Sequence, residues 1–369
     1  MAKLVGATGD NGYLTILSRA FDEKSPSPSS FCQFRKTVSH QFFKDQYLSE
    51  VKEWQEKNRP KFEGLFVNAI DGDKLILPYS QDILDEGYRG IPCKNNQETH
   101  YPAMYYCAST DVISGVPVGF SESCENDEIA RAIELLGSSH SPEKTLTIFD
   151  RFYFCKRLLK FYEKPDRGFF LARCKTGATF KEIIDFASSS LQEKEVEIKG
   201  VKCRLLRFKR PNSEEETILV TNLPKRFKAS KILGLYGYRW ESETGNRDRT
   251  TSIKIEQFRA KNINGILQEV WMTLLLQAVG QIACAKEIKP EKYFMKKIYI
   301  KANFKAVYNK IVEGIGTIIS GLKCAYQLTK DLVLRSKQKR EHYKRQYKRE
   351  TKQITGKTFK RKSLVTRRE

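Results

Sequence analysis

No two cysteines in this chain form a C-x-x-C pair, and its four histidines fall in no ligand-like cluster. A structural zinc site draws on such spacings and is not expected here. The nine thiols, at positions 32, 93, 107, 124, 155, 174, 203, 284 and 324, are odd in number and far apart. Such scattered thiols fit a reducing compartment, where they serve as small apolar residues. The opening stretch MAKLVGATGDNG lacks the apolar core of a signal peptide. The longest apolar run, Val270 to Ala285, is broken by Gln277, Gly280 and Gln281 and reads as too short to span a bilayer. We find no internal repeat. These absences predict a soluble, cytoplasmic protein with no membrane partner.

Acidic residues are also scarce. The 369 residues carry 66 Lys and Arg against 44 Asp and Glu, a net charge of +22. A field of that sign attracts polyanions, of which nucleic acid is the commonest. The excess is uneven: residues 336–369 hold 14 basic and 3 acidic residues, half of the net charge. That tail, with tyrosines set among its cations in YKRQYKRETKQ, is expected to stay mobile or to lie along duplex phosphates. At 40% hydrophobic content the rest suffices for a sizeable core in two or three structural units.

Along the chain, KSPSPSS (24–30) reads as a linker before a helical segment from Phe31 to Lys57. Leu65 to Ile70 is a short apolar run. The Asp-Gly pair after it predicts a tight reversal into a second strand, Lys74 to Leu77. Tyr105–Ser109 and Val116–Phe120 read as a strand pair turning near Gly115. A helix near Asn126 to Leu136, a strand Thr145–Phe149 and a helix Cys155–Glu163 follow. From Gly168 to Pro224 the pattern is strand-like, with SSSLQEKE as a linker. Helices return from Ser230 through Tyr236–Arg247, at Asn264–Cys284 and at Phe304–Arg335. The order predicts a strand-rich α/β core with a β insertion and helical ends.

Three acidic residues stand out. Asp71 lies in AIDGDKLILP, Asp150 in TLTIFDRFYF and Glu243 in YGYRWESETGNR. Asp150 closes a strand, and the carboxyl edge of an open sheet is where α/β folds place ligands. Asp71 beside Gly72 reads either as a metal ligand at a strand end or as a turn residue. Asp150 reads either as a ligand or as a cap of the next helix. On a continuous helix, Tyr236, Arg239, Glu243 and Thr250 fall within roughly 60° of arc, and Arg247 joins them. Arg239, Glu243 and Arg247 read equally as surface ion pairs. Two aspartates and a helical glutamate would together suit two divalent ions over a phosphodiester.

The blocks AIDGDKLILP, TLTIFDRFYF (with Asp150, Arg151 and Tyr153 as Asp-Arg-x-Tyr), ILVTNLP and YGYRWESE followed by KIEQFRAK resemble those of insertion-sequence DDE transposases. The similarity is to the branch with a Tyr-Arg-Glu-Lys signature and runs from about Ser29 to Leu276. It implies a ribonuclease-H-like mixed sheet interrupted by a β-strand insertion, with helical extensions at both ends. The implied boundaries are an N-terminal segment (1–60), a first part of the core (61–175), the insertion (176–224), a second part of the core (225–290) and a C-terminal region with the basic tail (291–369).

The resemblance further implies that Asp71, Asp150 and Glu243 hold two Mg²⁺ ions, replaceable by Mn²⁺, with Asp71 bridging both. Both aspartates would be ionised when metal is bound. Metal-bound water would cut a strand at an element end, and the freed 3′-hydroxyl would then attack another phosphodiester and, later, target DNA. Tyr236 and Arg239 would hold terminal phosphates, with Arg247 and Lys254 as further DNA contacts. The implied partners are terminal inverted repeats, target duplex and a second copy on paired ends, in the bacterial cytoplasm. Thr250 stands at the signature lysine, and only about 70 residues precede Asp71, so the alternative is a retired DNA-binding relic. No Trp lies between Phe152 and Leu235 to wedge into an unstacked base; Phe169, Phe170 and Phe208 are the candidates there, or core residues.

Overall fold

The computed structural model describes residues 27–92, 98–175, 180–209, 216–247, 255–314 and 324–341. Thr250, Arg249, Lys254 and the tail beyond residue 341 lie outside the described residues. Helix α1 (Pro28–Thr37) begins inside the expected linker because the Ser27 side chain caps it, accepting from Ser30 N at 3.1 Å. The single helix expected over 31–57 is two. Val38 is extended, and Ser39 caps α2 (His40–Lys57). On α2, Tyr47, Val51 and Trp54 recur at helical spacing and form its buried face.

Strand β1 (Phe66–Ile76) corrects the reading of the Asp-Gly pair. It runs without reversal through Asp71-Gly72-Asp73 and pairs antiparallel with β3 (Glu98–Asp111) from Asn68↔Asp111 to Ile76↔Ala103. Nine long-range pairings outweigh the local turn preference of Asp-Gly. A short helix α3 (Gln81–Asp85) and strand β2 (Gly90–Pro92) lie between them. Strand β4 (Pro117–Ser123) pairs antiparallel with β3 after the expected turn, where Gly115 has φ +78°. Helix α4 (Glu128–Gly137) crosses back to β5 (Thr145–Phe149), which pairs parallel to β1 and is buried at all five positions. Helix α5 (Lys156–Tyr162) leads to β6 (Phe169–Arg173), parallel to β5. A path β4-β3-β1-β5-β6, with the first three antiparallel and the last two parallel to β1, is the ribonuclease-H-like arrangement.

Helix α6 (Lys181–Ala187), unanticipated in the sequence, precedes β7 (Glu193–Ile198), β8 (Val201–Lys209) and β9 (Glu216–Thr221). Strand β7 takes up the end of the expected SSSLQEKE linker. It joins β8 through the two-residue turn Lys199-Gly200, whose φ values of +50° and +77° match the twist of a tight hairpin. The strands of the insertion pair onto β6 in the order β6-β9-β8-β7, so one nine-stranded sheet results.

The helix expected from 230 to 247 is broken. Helix α7 (Ala229–Gly237) ends at a glycine, and Arg239 N bonds back to Tyr236 O at 3.1 Å before α8 (Trp240–Arg247) begins. Helix α9 (Ile263–Ile288) is longer than its apolar run suggested. By length and composition it could cross a membrane, contrary to the reading from the sequence. Here 78% of that window is buried in the protein, where Trp271 packs against Tyr47 and Phe120 at 5.6 and 5.5 Å between ring centres. The expected helix 304–335 is α10 (Phe304–Glu313) and α11 (Ala325–Arg335), with 315–323 outside the described residues. Strands β10 (Ile298–Lys301) and β11 (Gln338–Glu341) form a separate antiparallel pair.

Two apolar layers sandwich the central sheet. One, under α4, α5 and α6, gathers Ile70, Phe149, Tyr153, Phe170 and Phe186. The other, under α7, gathers Val67, Ala69, Ile148, Leu171, Ile232 and Leu235.

Candidate active site

The strand registers bring the two aspartates together. Strands β1 and β5 pair from Phe66↔Thr145 to Ala69↔Ile148, where the ladder ends, and Asp71 and Asp150 each follow that last pair by two residues. Neighbouring strands lie about 4.8 Å apart, and residues two apart share a face. Asp71 and Asp150 therefore follow Ala69 and Ile148 on the face covered by α7. In the same way β5 and β6 pair through Phe149↔Ala172, which sets Arg173 beside Asp150. Three adjacent strands thus present Asp71, Asp150 and Arg173 in a row.

Helix α8 packs on β1 and β3, at the Asp71 end of that row. Asn246 Nδ2 donates to Asp71 Oδ2 at 3.0 Å. One turn earlier, Arg239 Nη2 binds Glu243 Oε1 at 2.6 Å, and Arg239 is only 8% exposed. Its guanidinium also lies 4.8 Å over the Trp240 ring. The break after α7 leaves Arg239 and Glu243 in the i, i+4 relation expected of them. The Tyr236 hydroxyl takes a hydrogen bond from Arg239. Burial pushes that hydroxyl up to about 12, helped by the charge of Asp150 and opposed by Arg239 and Arg173.

Burial raises the Asp71 carboxyl from 3.8 to about 7; Arg239 opposes the rise, and Glu243, Glu128 and Asp73 add to it. Asp71, Asp150, Tyr236, Arg239 and Glu243 therefore share one electrostatic neighbourhood, although 172 residues separate the first from the last. Arg247 ends α8, and its side chain, like Lys254, lies outside the described residues. Among the described residues no three His, Cys, Asp or Glu groups are arranged as a ready metal cage, and Glu243 is paired with Arg239. The donor chemistry nevertheless fits a hard divalent ion: every candidate ligand is a carboxylate oxygen, and Asp71 is crowded by like charge that a dication would relieve.

Sequence reasoning missed three residues of this neighbourhood. Asn246 stands three residues after Glu243 on the same helix, a spacing that could have pointed to it. Arg173 ends the apolar strand FFLAR, just as Asp150 follows TLTIF. Glu128 carries no such local signal; it reaches the site through tertiary packing alone. Of the aromatics considered as wedges, Phe170 is fully buried, and Phe169 and Phe208 pack against the core under α7.

A family model described as the transposase DDE domain matches residues 67–278, more than half of the chain. No curated protein matches the sequence. One solved structure, described as the cryo-EM structure of piggyBac transposase synaptic complex with hairpin DNA, is similar at a TM-score of 0.46 and 10% identity. The similarity covers 84% of this chain but 64% of that one, so the chain spans under two thirds of that protein's length. The match of the family model spans β1 through most of α9, the stretch that contains Asp71, Asp150 and Glu243, and the chain belongs to the DDE transposase family.

Proposed function

We propose that this transposase cuts the ends of a DNA element and joins them to target DNA, with Asp71, Asp150 and Glu243 as the acidic groups of the reaction. The observation that supports the reading is the end of the β1–β5 ladder at Ala69↔Ile148, two residues before Asp71 and Asp150, together with the hydrogen bond to Asp71 from the helix that bears Glu243. Two Mg²⁺ ions, or Mn²⁺ in their place, held by these carboxylates would activate the attacking oxygen and neutralise charge on the phosphorane. The protein's own groups do the rest. Asn246 orients Asp71 by its hydrogen bond, and Arg239 presents a planar fork suited to a phosphate.

Arg239 now spends that fork on Glu243. A phosphate arriving at Arg239 would compete for the guanidinium and free Glu243 to turn toward Asp71. DNA binding and completion of the acidic site are in this way coupled. Tyr236, kept protonated by its burial, would donate its hydroxyl to the same phosphate. The net charge of +22 supports long duplex DNA as the partner. We further assign the chain to the Tyr-Arg-Glu-Lys branch, acting on terminal inverted repeats as a homodimer in the bacterial cytoplasm, with Thr250 in the lysine position.

The test is cleavage of a short element bearing its flanking inverted repeats, with Mg²⁺ or Mn²⁺, by wild type and Asp150→Ala. Cutting at the ends that Asp150→Ala abolishes supports the reading. Salt-sensitive binding without cutting by either protein would instead assign a DNA-binding relic.

A further inference from the structure

Glu128, the first residue of α4, lies on the opposite side of β1 from α8, against Gly72. A Cβ built on Gly72 would sit 2.5 Å from Glu128 Cγ, Cδ and Oε1, so any larger residue there would displace this side chain from its present position. A glycine within a strand commonly marks such a close approach. The Tyr153 hydroxyl, 1% exposed as a residue, donates to Glu128 Oε1. Tyr153 in turn belongs to the turn that carries Asp150, with its N–H donating to Asp150 O at 3.2 Å. Its ring packs on Phe149 at 5.5 Å between centres.

The other end of Glu128 is fixed as well. Cys107, the cross-strand partner of Gly72, donates its Sγ–H to Glu128 O at 3.2 Å. The preceding residue, Asp127, caps α4 by accepting from Ala130 N at 3.0 Å and pairs with Arg157 of α5 at 2.8 Å. The start of α4 is thereby anchored to β3 and α5, and its first side chain spans the gap between Gly72 and Tyr153.

We propose that Glu128 is a positioning residue, a strut that ties the flank of Asp71 to the turn bearing Asp150 through Gly72 and Tyr153. Adjacent strands are hydrogen-bonded along β1 and β5 only as far as Ala69↔Ile148, so the register beyond that point, where both aspartates stand, has no ladder of its own. The strut supplies a cross-tie on the face of β1 opposite α8. Its bearing on catalysis rests on the two-aspartate reading given above. Its structural role does not.

Two readouts separate these levels. The first is hydrogen exchange, by mass spectrometry on the full chain, in wild type, Glu128→Ala, Tyr153→Phe, Gly72→Ala and Glu128→Gln. We expect exchange around residues 70–74 and 150–154 to quicken about tenfold in the first three variants, with β8 unchanged as an internal control. Glu128→Gln keeps an oxygen that accepts from Tyr153 and restores protection. The second is the single-turnover cutting rate at saturating DNA, expected to fall about 10- to 100-fold in the same order with DNA affinity unchanged.

Wild-type exchange at either segment in Glu128→Ala would overturn the strut. So would a Glu128→Gln variant as impaired as Glu128→Ala, because the charge rather than the tie would then matter. The expected exchange pattern in a wild type that cuts no DNA would support the strut and sink the proposed reaction.

Discussion

Asn246 donates to Asp71 across 175 residues of sequence, and that 3.0 Å hydrogen bond joins the helix of the third acidic residue to the strand of the first. It gives Asp71 a fixed orientation without adding charge. Asn246→Ala is expected to slow strand cutting about tenfold or more while leaving DNA binding intact, since a hydrogen bond to a charged group is worth about 1.5–3 kcal/mol. Single-turnover cleavage beside a DNA titration checks this.

The Asp71 carboxyl gives the metal-free protein a pH dependence of definite sign. Burial, then Glu243, Glu128 and Asp73 acting against Arg239, raise it from 3.8 to about 7. The folded chain thus holds a proton that the unfolded chain has released between those two values. Its contribution to stability is complete below pH 4 and is lost as pH rises toward 7. Asp71→Asn removes this slope. In chelator, unfolding free energies of wild type and Asp71→Asn from urea titrations should agree at low pH and diverge in favour of Asp71→Asn at pH 8, by up to about 4 kcal/mol.

Arg239 is expected to act through DNA rather than through stability alone. Arg239→Ala should weaken binding of an element end and lower the salt slope of binding by about one. Arg239→Lys keeps a charge but not the planar fork, so affinity should return further than cutting does. Binding isotherms at several salt concentrations distinguish the two.

Where β3 ends beside Asn68 of β1, Arg59 and Asp111 form an ion pair at 2.8 Å with both side chains fully buried. Asp111 also accepts from Ser114 N and Oγ at 2.9 and 2.7 Å. Asp111→Ala leaves a buried guanidinium unpaired and should cost about 3–5 kcal/mol. Denaturant unfolding with an unchanged slope would show it.

The basic tail should contribute affinity without sequence preference. Truncation after residue 341 removes a region rich in Lys and Arg. The salt dependence of duplex binding should fall by about 0.9 for each phosphate that the tail had neutralised, equally for element ends and random duplex. A weakening confined to element ends would show that the tail reads sequence.

Much of this was legible in the sequence, for identifiable reasons. Thr145–Phe149 (TLTIF) is an uncharged run of apolar and β-branched residues, as expected of a central strand buried on both faces, and Asp150 follows it directly. The helix read near Asn126 to Leu136 is α4, and the structure shows Asp127 capping it. Local signals failed where distant pairing competes with them. Asp-Gly reads as a turn, yet β3 holds it in a strand, and the glycine serves Glu128 instead. The periodicity from Tyr236 onward reads as one helix, but the chain turns tightly at Tyr238 and Arg239 after Gly237.

By itself the sequence determined the charge that suits a polyanion, the strand that delivers Asp150, and the order of blocks that marks a DDE transposase. Only the tertiary structure decided that Asp71 lies mid-strand, on the strand next to the one that leads to Asp150, that Arg239 engages Glu243 while Asn246 engages Asp71, and that Glu128 stands on the other face of β1. Composition and periodicity record what each segment does with its immediate neighbours. Strand register and helix docking depend on interactions between residues up to 234 positions apart, which no local pattern encodes.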